Sequence, residues 1–269
     1  QCTYCLYPQT LNGRTYRTMS VEQVAEEFAF IARELPQVRE VFIEDDTLTL
    51  HRKRTQALCR ELIRRGNKIP WTANARADVD LETLELMKAA GCRLLCVGVE
   101  SGVQEILDNV KKGIEIDQIR RFFRDTKKAD IMVHGCFMVG NQGETRETLE
   151  KTLEFAKELN PDTAQFFPLM IYPGTESYAW AKEKNFIATE DFSQWVTEEG
   201  LHNSVVRRDN LSNEELVAFC NRARQEFYLR PRYLWYKVKQ VLRRPAEAKR
   251  LVKSFGTFAR FLLRPAERI

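Results

Sequence analysis

A repeating βα pattern around a parallel sheet is the fold class this sequence predicts, and three observations predict it. Short apolar runs alternate with amphipathic helical stretches from residue 20 to about 184. No hairpin turn signal stands between successive runs, so the strands pair through helical crossovers. Each apolar run stops on polar groups or glycines, as expected where strand ends line one mouth. The pattern fits either a barrel or an open, doubly wound sheet.

The elements follow in order. "SVEQVAEEFAFIAREL" places Val21, Val24, Phe28 and Ile31 at helical spacing behind a Ser20 cap. "REVFIEDD" reads as a buried strand ending in acids, and "RTQALCRELIRRG" as a helix closed by Gly66. The strand "KIPWTANARAD" leads into "DLETLELMKAAG", a helix capped by Asp80 and ended by Gly91. "CRLLCVGVESG" is continuously apolar, which predicts a strand buried on both faces. Helices follow at 103–110 and 116–128, then the strand "IMVHGCFMVG", the helix "TRETLEKTLEFAKEL", the strand "DTAQFFPLMIYP" and a helix from Thr175 to Lys184. After Glu190 the rhythm breaks. "DFSQWVTEEGLHNSVVRRDN" is irregular and aromatic, suited to covering the open side of a barrel. "LSNEELVAFCNRARQEFYLR" is a helix capped by Ser212, and from Pro231 two basic helical stretches follow, divided near Arg244-Pro245.

The strand ends carry Glu44-Asp45-Asp46, Asn74 and Arg76, Glu100-Ser101-Gly102, Gly140-Asn141-Gln142-Gly143-Glu144 and Tyr172-Pro173-Gly174-Thr175. A carboxylate at one such end is as well explained as a cap on the next helix. Five polar ends on one rim argue for a shared pocket. No GxGxxG follows a strand and no P-loop occurs, which disfavours a simple nucleotide fold.

The 269 residues allow one large α/β domain with an appendage, or two domains, at an ordinary 43% hydrophobic and 30% charged. No apolar run reaches the roughly 20 residues that span a bilayer, and no signal peptide opens the sequence. A first residue other than Met suggests material upstream. The seven cysteines are odd in number and thinly spread, unlike a secreted disulfide framework, and point to a reducing cytoplasm. His51, His134 and His202 are isolated in sequence, and His134 falls on a predicted strand.

The chain opens "QCTYCLYPQTLNG", with Cys2 and Cys5 three apart around Tyr4. A redox dithiol would want a helix N-terminus just after the first thiol, whereas Pro8 and Gly13 make this stretch read as loop. A structural zinc site would want four ligands, and no second CxxC or CxxH follows.

Cys2-Thr3-Tyr4-Cys5 resembles the last two cysteines, and the aromatic residue before the last, of the C-x-x-x-C-x-x-C loop of radical SAM enzymes. "FIEDDTLT", "ANARADVDLETLELMKAAGCRLLCVGVESGVQEIL", "HGCFMVGNQGETRETLEKTLEFA" and "LMIYPGTESY" resemble, in the same order, the subgroup that joins a cobalamin-binding domain to the radical SAM barrel. Within it, "CLYPQTLNGRTYRTMS" and "YPGT" look closest to hopanoid-biosynthesis-type proteins; anaerobic porphyrin cyclases and cobalamin-dependent methyltransferases share the architecture. The resemblance implies a partial TIM-type (β/α)6 barrel over residues 1–188, lacking its first strand and first cluster cysteine, and a C-terminal helical extension over 189–269.

The same resemblance implies cofactors and sites. Cys2 and Cys5 would bind a 4Fe–4S cluster whose open iron takes S-adenosylmethionine, cleaved by an electron from the cluster to a 5′-deoxyadenosyl radical. Tyr4 would lie near the adenine, and Glu44, Asp45 and Asp46 would meet the methionine amino group. Arg76 stands at the rim, Glu100 and Ser101 would face the ribose or methionine end, and Gly140 would belong to the adenine platform. Gln142 departs from the proline usual in the family before the position of Gly143. Cobalamin would be held mainly by a domain outside this chain, and the electron donor would be of flavodoxin or ferredoxin type. The expected activity is modification, by methylation or another change at an unactivated carbon, of a small-molecule or lipid substrate. The competing class is a non-catalytic barrel scaffold or membrane-surface module.

Charge is uneven. From Arg230 to Ile269 there are 12 Lys and Arg against two Asp and Glu, on a chain of net charge +4. "RYLWYKVKQVLRR" and "KSFGTFARFLLR" mix aromatic and aliphatic residues with cations, as a solvated helical face does, or a peripheral membrane contact through 231–269. No recognisable nucleic-acid module accompanies them.

Overall fold

The computed structural model describes residues 2–11, 13, 15–196, 204–207 and 210–243, with 248, 250 and 256 singly. Five strands, β1 (Val41–Ile43), β2 (Trp71–Ala75), β3 (Cys92–Glu100), β4 (Met132–Val139) and β5 (Thr163–Pro168), form one sheet in sequence order. Every neighbouring pair is parallel. The strands are connected by α2 (Arg52–Arg64), α3 (Leu81–Ala89), α4 (Gln104–Asn109) with α5 (Ile116–Lys128), and α6 (Arg146–Leu159). Before β1 stands α1 (Val21–Glu34), and after β5 come α7 (Glu176–Glu183), α8 (Asn213–Tyr228) and α9 (Pro231–Arg243).

Local chemistry sets the helix starts. Ser20 and Gln23 form a reciprocal capping box on α1, and Ser212 and Glu215 another on α8. Asp80 accepts from Thr83 N–H at the head of α3. These are the caps the sequence predicts.

β3 departs from expectation. Leu95, Val97 and Val99 are fully buried, whereas Leu94, Cys96 and Gly98 between them are only half-buried. β4 and β5 repeat this, with Val133, Phe137 and Phe166 sealed and His134, Cys136 and Phe167 partly open. The apolar run therefore marks burial on one face, under the helices, and a partly open second face that mixes Gly98, Cys96, Cys136 and His134 with the larger Leu94 and Phe167. Helices packed on a single face select the barrel-type arrangement over the doubly wound one.

The core lies between that face and the helices, with Trp71, Leu95, Phe122, Phe123, Phe137 and Phe166 within it. Phe137 and Phe166 stack at 5.1 Å. Leu216, Phe219, Cys220, Ala223 and Phe227 of α8 belong to the same core. A second apolar cluster gathers at the C-terminal ends of β4 and β5. There Trp195, Val205 and Val206 from the irregular segment pack with Met138 and Leu169–Ile171, and Tyr4 leans on them. Residues 244–247 and most of the second basic stretch lie outside the described residues. Among the described residues no helix is long and apolar enough to cross a membrane.

Candidate functional site

The cysteine loop sits at the C-terminal ends of the strands, held by chain far away in sequence. Thr3 N–H donates to the Val110 carbonyl after α4, and the Thr3 carbonyl accepts from Ser177 N–H in α7 at 3.0 Å. The Ser177 hydroxyl meets Thr3 Oγ1 at 3.0 Å, and Glu176 N–H donates to Gln9 Oε1 at 2.8 Å. Gly174 makes the approach possible. Its φ is +86°, and a Cβ there would stand 2.7 Å from Thr10 Cγ2.

The stretch after Cys5 is not the loop the sequence suggests but a short π-helical turn, Tyr7–Leu11. Pro8 is tolerated because a first-turn N–H needs no partner within the turn. The Gln9 side-chain amide reaches back to the carbonyls of Cys2, Thr3 and Cys5 at 3.1, 3.2 and 2.9 Å. A glutamine capping three carbonyls leaves no mark in local propensity.

Cys2 and Cys5 share a tight turn, Cys5 N–H donating to the Cys2 carbonyl at 3.1 Å. Burial pushes the Cys5 thiol up, and the charges of Cys2 and Asp46 add smaller pushes in the same direction. Among the described residues no three His, Cys, Asp or Glu side chains group to hold a metal ion, so a closed four-ligand zinc site is absent there. Two soft thiols in one turn at a mouth lined by carboxylates are a donor set that fits two corners of an iron–sulfur cluster.

Tyr4 is directed inward. Its hydroxyl donates to Glu100 Oε1 at 2.9 Å, and Lys112 Nζ donates to the same oxygen at 2.8 Å. Lys112 and Glu100 are both nearly buried, with side chains 9% and 7% exposed. Burial first, and then the Glu100 charge, hold the Tyr4 phenol well above its ordinary range. Glu100 sits at φ +66°, where β3 changes register against β4. Nothing local in the sequence singles out Lys112.

The other rim residues divide. Glu44 and Asp46 are exposed at the end of β1 and Asp45 half-buried, with the Asp45 carbonyl accepting from Asn74 Nδ2 at 3.0 Å. Glu44 lies close enough to Cys96 to raise that thiol, though burial is the larger cause. Arg76 donates to Asp78 Oδ2 at 2.9 Å and to the carbonyls of Lys112 and Gly113. Its guanidinium thus braces the loop that carries Lys112. Ser101 is turned away from the mouth, fully buried, with its hydroxyl 3.0 Å from Thr152 Oγ1 of α6 and accepting from Val103 N–H. Gly140, at φ +92°, packs beneath Leu216, 3.1 Å from where its Cβ would be. The N–H groups of Gly140 and Asn141 converge on the buried Glu144 carboxylate. Glu144 N–H closes the turn onto the Asn141 carbonyl, and Gln142 is accommodated in it. Sequence reasoning passed over Gln9, Lys112 and the organising role of Glu144.

The model of the radical SAM superfamily matches residues 1–156. An uncharacterized methyltransferase of Pyrococcus horikoshii is 32% identical over 234 residues, covering 87% of this chain and 50% of its own length. The anaerobic magnesium-protoporphyrin IX monomethyl ester cyclase of Rubrivivax gelatinosus is 27% identical over 238 residues, covering 87% and 41%. The radical S-adenosylmethionine methyltransferase TsrM of Kitasatospora setae, solved with cobalamin and a [4Fe-4S] cluster bound, superposes with a TM-score of 0.69. It is 20% identical, with 83% of this chain and 50% of that one covered, a likeness of fold. This chain thus spans about half the length of these relatives. The expected fold class, a parallel sheet with helices of the radical SAM barrel type followed by a helical C-terminal part, is borne out. With the family model covering more than half its residues and a relative above 30% identity, the chain belongs to the radical SAM superfamily, whose enzymes use a 4Fe–4S cluster and S-adenosylmethionine.

Proposed function

We propose that residues 1–188 form the catalytic part of a radical SAM enzyme that modifies a small organic molecule, most simply by methyl transfer, and that 189–269 form an extension serving it. The observation that carries this reading is the cysteine turn, clamped at the mouth by Val110 and Ser177 and tied through Tyr4 to Glu100. Cys2 and Cys5 would hold the cluster, which when bound supplies the electron that cleaves the sulfonium of S-adenosylmethionine.

The chain's own residues then have separable tasks. Glu44, Asp45 and Asp46 offer acceptors to an ammonium group, and Tyr4 and Gly140 flank the place of the adenine. Glu100 anchors the cluster loop through Tyr4, whereas Arg76 and Ser101 position the rim from behind. The half-buried face of Cys96, His134, Cys136 and Phe167 is suited to a substrate more apolar than charged. Cobalamin as methyl carrier, bound outside this chain, and a flavodoxin or ferredoxin donor are part of the proposal. The methyltransferase and cyclase names among the relatives support the reaction class.

The test is anaerobic reconstitution of the full-length protein with iron and sulfide, followed by assay of 5′-deoxyadenosine and S-adenosylhomocysteine from S-adenosylmethionine. Cys2→Ala and Cys5→Ala should each lose the cluster absorbance and both products. A folded wild-type protein that binds no iron would remove the enzyme reading.

A further inference from the structure

We propose that α9 lies on an anionic lipid surface through a ridge formed by Leu234, Trp235, Val238 and Leu242. The inference concerns an interaction surface and stands apart from the chemistry proposed above.

α9 is an amphipathic helix mounted back to front. Its polar side faces the protein and converges on one acid, Asp162, which precedes β5. Tyr233 donates its hydroxyl to the Asp162 carbonyl at 2.8 Å, and Tyr236 donates to Asp162 Oδ1 at 2.8 Å. Gln240 donates to the same Oδ1, and Lys237 Nζ lies 3.8 Å from it. The second carboxylate oxygen accepts from Val133 N–H in β4 at 2.9 Å. These bonds seat the helix.

The apolar side is what remains for solvent. Leu234 is 45% exposed, Trp235 60%, Val238 48% and Leu242 76%. Residues four apart share a helix face, so Leu234, Val238 and Leu242 form a continuous line with Trp235 beside it. Scattered exposed apolar residues are ordinary, but a surface helix normally turns such a line inward. Here the docking bonds hold it outward.

Charge names the occupant. Arg232, Lys239 and Arg243 are exposed beside the ridge, and α9 contains no acidic residue. Lys239 Nζ sits 5.2 Å from the Trp235 ring centre, and Arg230 to Ile269 carries 12 cations against two acids. A second copy of this chain would bring like charges against like across a two-fold interface. A nucleic acid would accept the cations but strand the ridge in water. An anionic bilayer surface accepts both, its headgroups meeting the cations and its acyl boundary the ridge. At 13 residues α9 is too short to span and fits in the plane of the interface.

The test is flotation of the full-length protein with phosphatidylglycerol–phosphatidylcholine vesicles, against vesicles of phosphatidylcholine alone. Preferential partition into the anionic vesicles is expected, falling about tenfold or more for Trp235→Glu with Leu242→Glu. The unfolding midpoint should stay unchanged, because both side chains already face solvent. Lys239→Glu with Arg243→Glu should erase the anionic preference. No partition by the wild type, partition that ignores the ridge variants, or equal partition into both vesicles would overturn the proposal. Self-association in solution that the ridge variants abolish, without vesicle binding, would do the same.

Discussion

Two opposite charges 2.8 Å apart, with almost no water around either, are costly to separate. Lys112→Met leaves the Glu100 carboxylate buried without its cation and should destabilise the protein by about 3–5 kcal/mol. Adding Glu100→Gln should recover most of that loss, an expectation that paired urea titrations check. Sequence reading found Glu100 at its strand end but not Lys112, because their meeting depends on a left-handed residue and a register shift rather than on spacing. The same kink explains Ser101. It follows Glu100 directly, and the reversal of the backbone carries its hydroxyl under α6 instead of into the mouth. His134 illustrates the opposite case, a residue isolated in sequence that lies on the open face with Thr163 Oγ1 2.7 Å from Nδ1. Burial holds its pKa below the ordinary 6.5. Folding then favours the neutral ring, so its contribution is intact above pH 6.5 and is lost as pH falls through the depressed value. Urea midpoints measured from pH 8 to pH 5 should decline below 6.5, and His134→Gln should flatten that part of the curve.

An open parallel sheet has two edges, and at the level of elements the treatment of β5 is informative. Tyr228, at the end of α8, accepts from Ala164 N–H and donates to Ala164 C=O, both at 2.8 Å, while Arg224 one turn earlier reaches the Phe166 carbonyl. One helix face thus supplies the partners that another strand would have given. Tyr228→Phe should cost about 1–3 kcal/mol by leaving an N–H and a carbonyl unpaired, with faster hydrogen exchange at Ala164 as the specific signature. Helix α8 itself was legible, with its Ser212 cap, because a cap is a local signal. Its role as an edge cover was not, since that follows from where the sheet stops. Gly174 belongs at this scale too. Gly174→Ala combines a left-handed backbone with a 2.7 Å clash on Thr10, and should cost about 1–2 kcal/mol. It should also lower iron content after reconstitution while leaving far-ultraviolet circular dichroism unchanged.

Across the whole molecule, Asp162 joins β4, the start of β5 and α9 in one hydrogen-bonded knot. Asp162→Asn should loosen α9 preferentially, seen as protease sensitivity confined to the region beyond residue 230 while the sheet's exchange protection persists. The order of strands and helices and the position of the mouth were readable because βα periodicity repeats along the chain and every step is local. The one-sided burial of the sheet was not, because a continuous apolar run has the same composition whether helices cover one face or two. The orientation of α9 escaped for a related reason, as periodicity reveals that a helix has two faces without saying which is turned inward.

The clamp on the cysteine turn bears on how the protein is made. Thr3 and the serine that holds its carbonyl are 174 residues apart, so the two thiols are made well before the residue that secures them. At roughly 5–20 residues per second, they wait on the order of ten to thirty seconds as unprotected sulfur before Ser177 exists to fold against. In an air-exposed cell, this interval opens the turn to oxidation during synthesis, before any turnover has occurred.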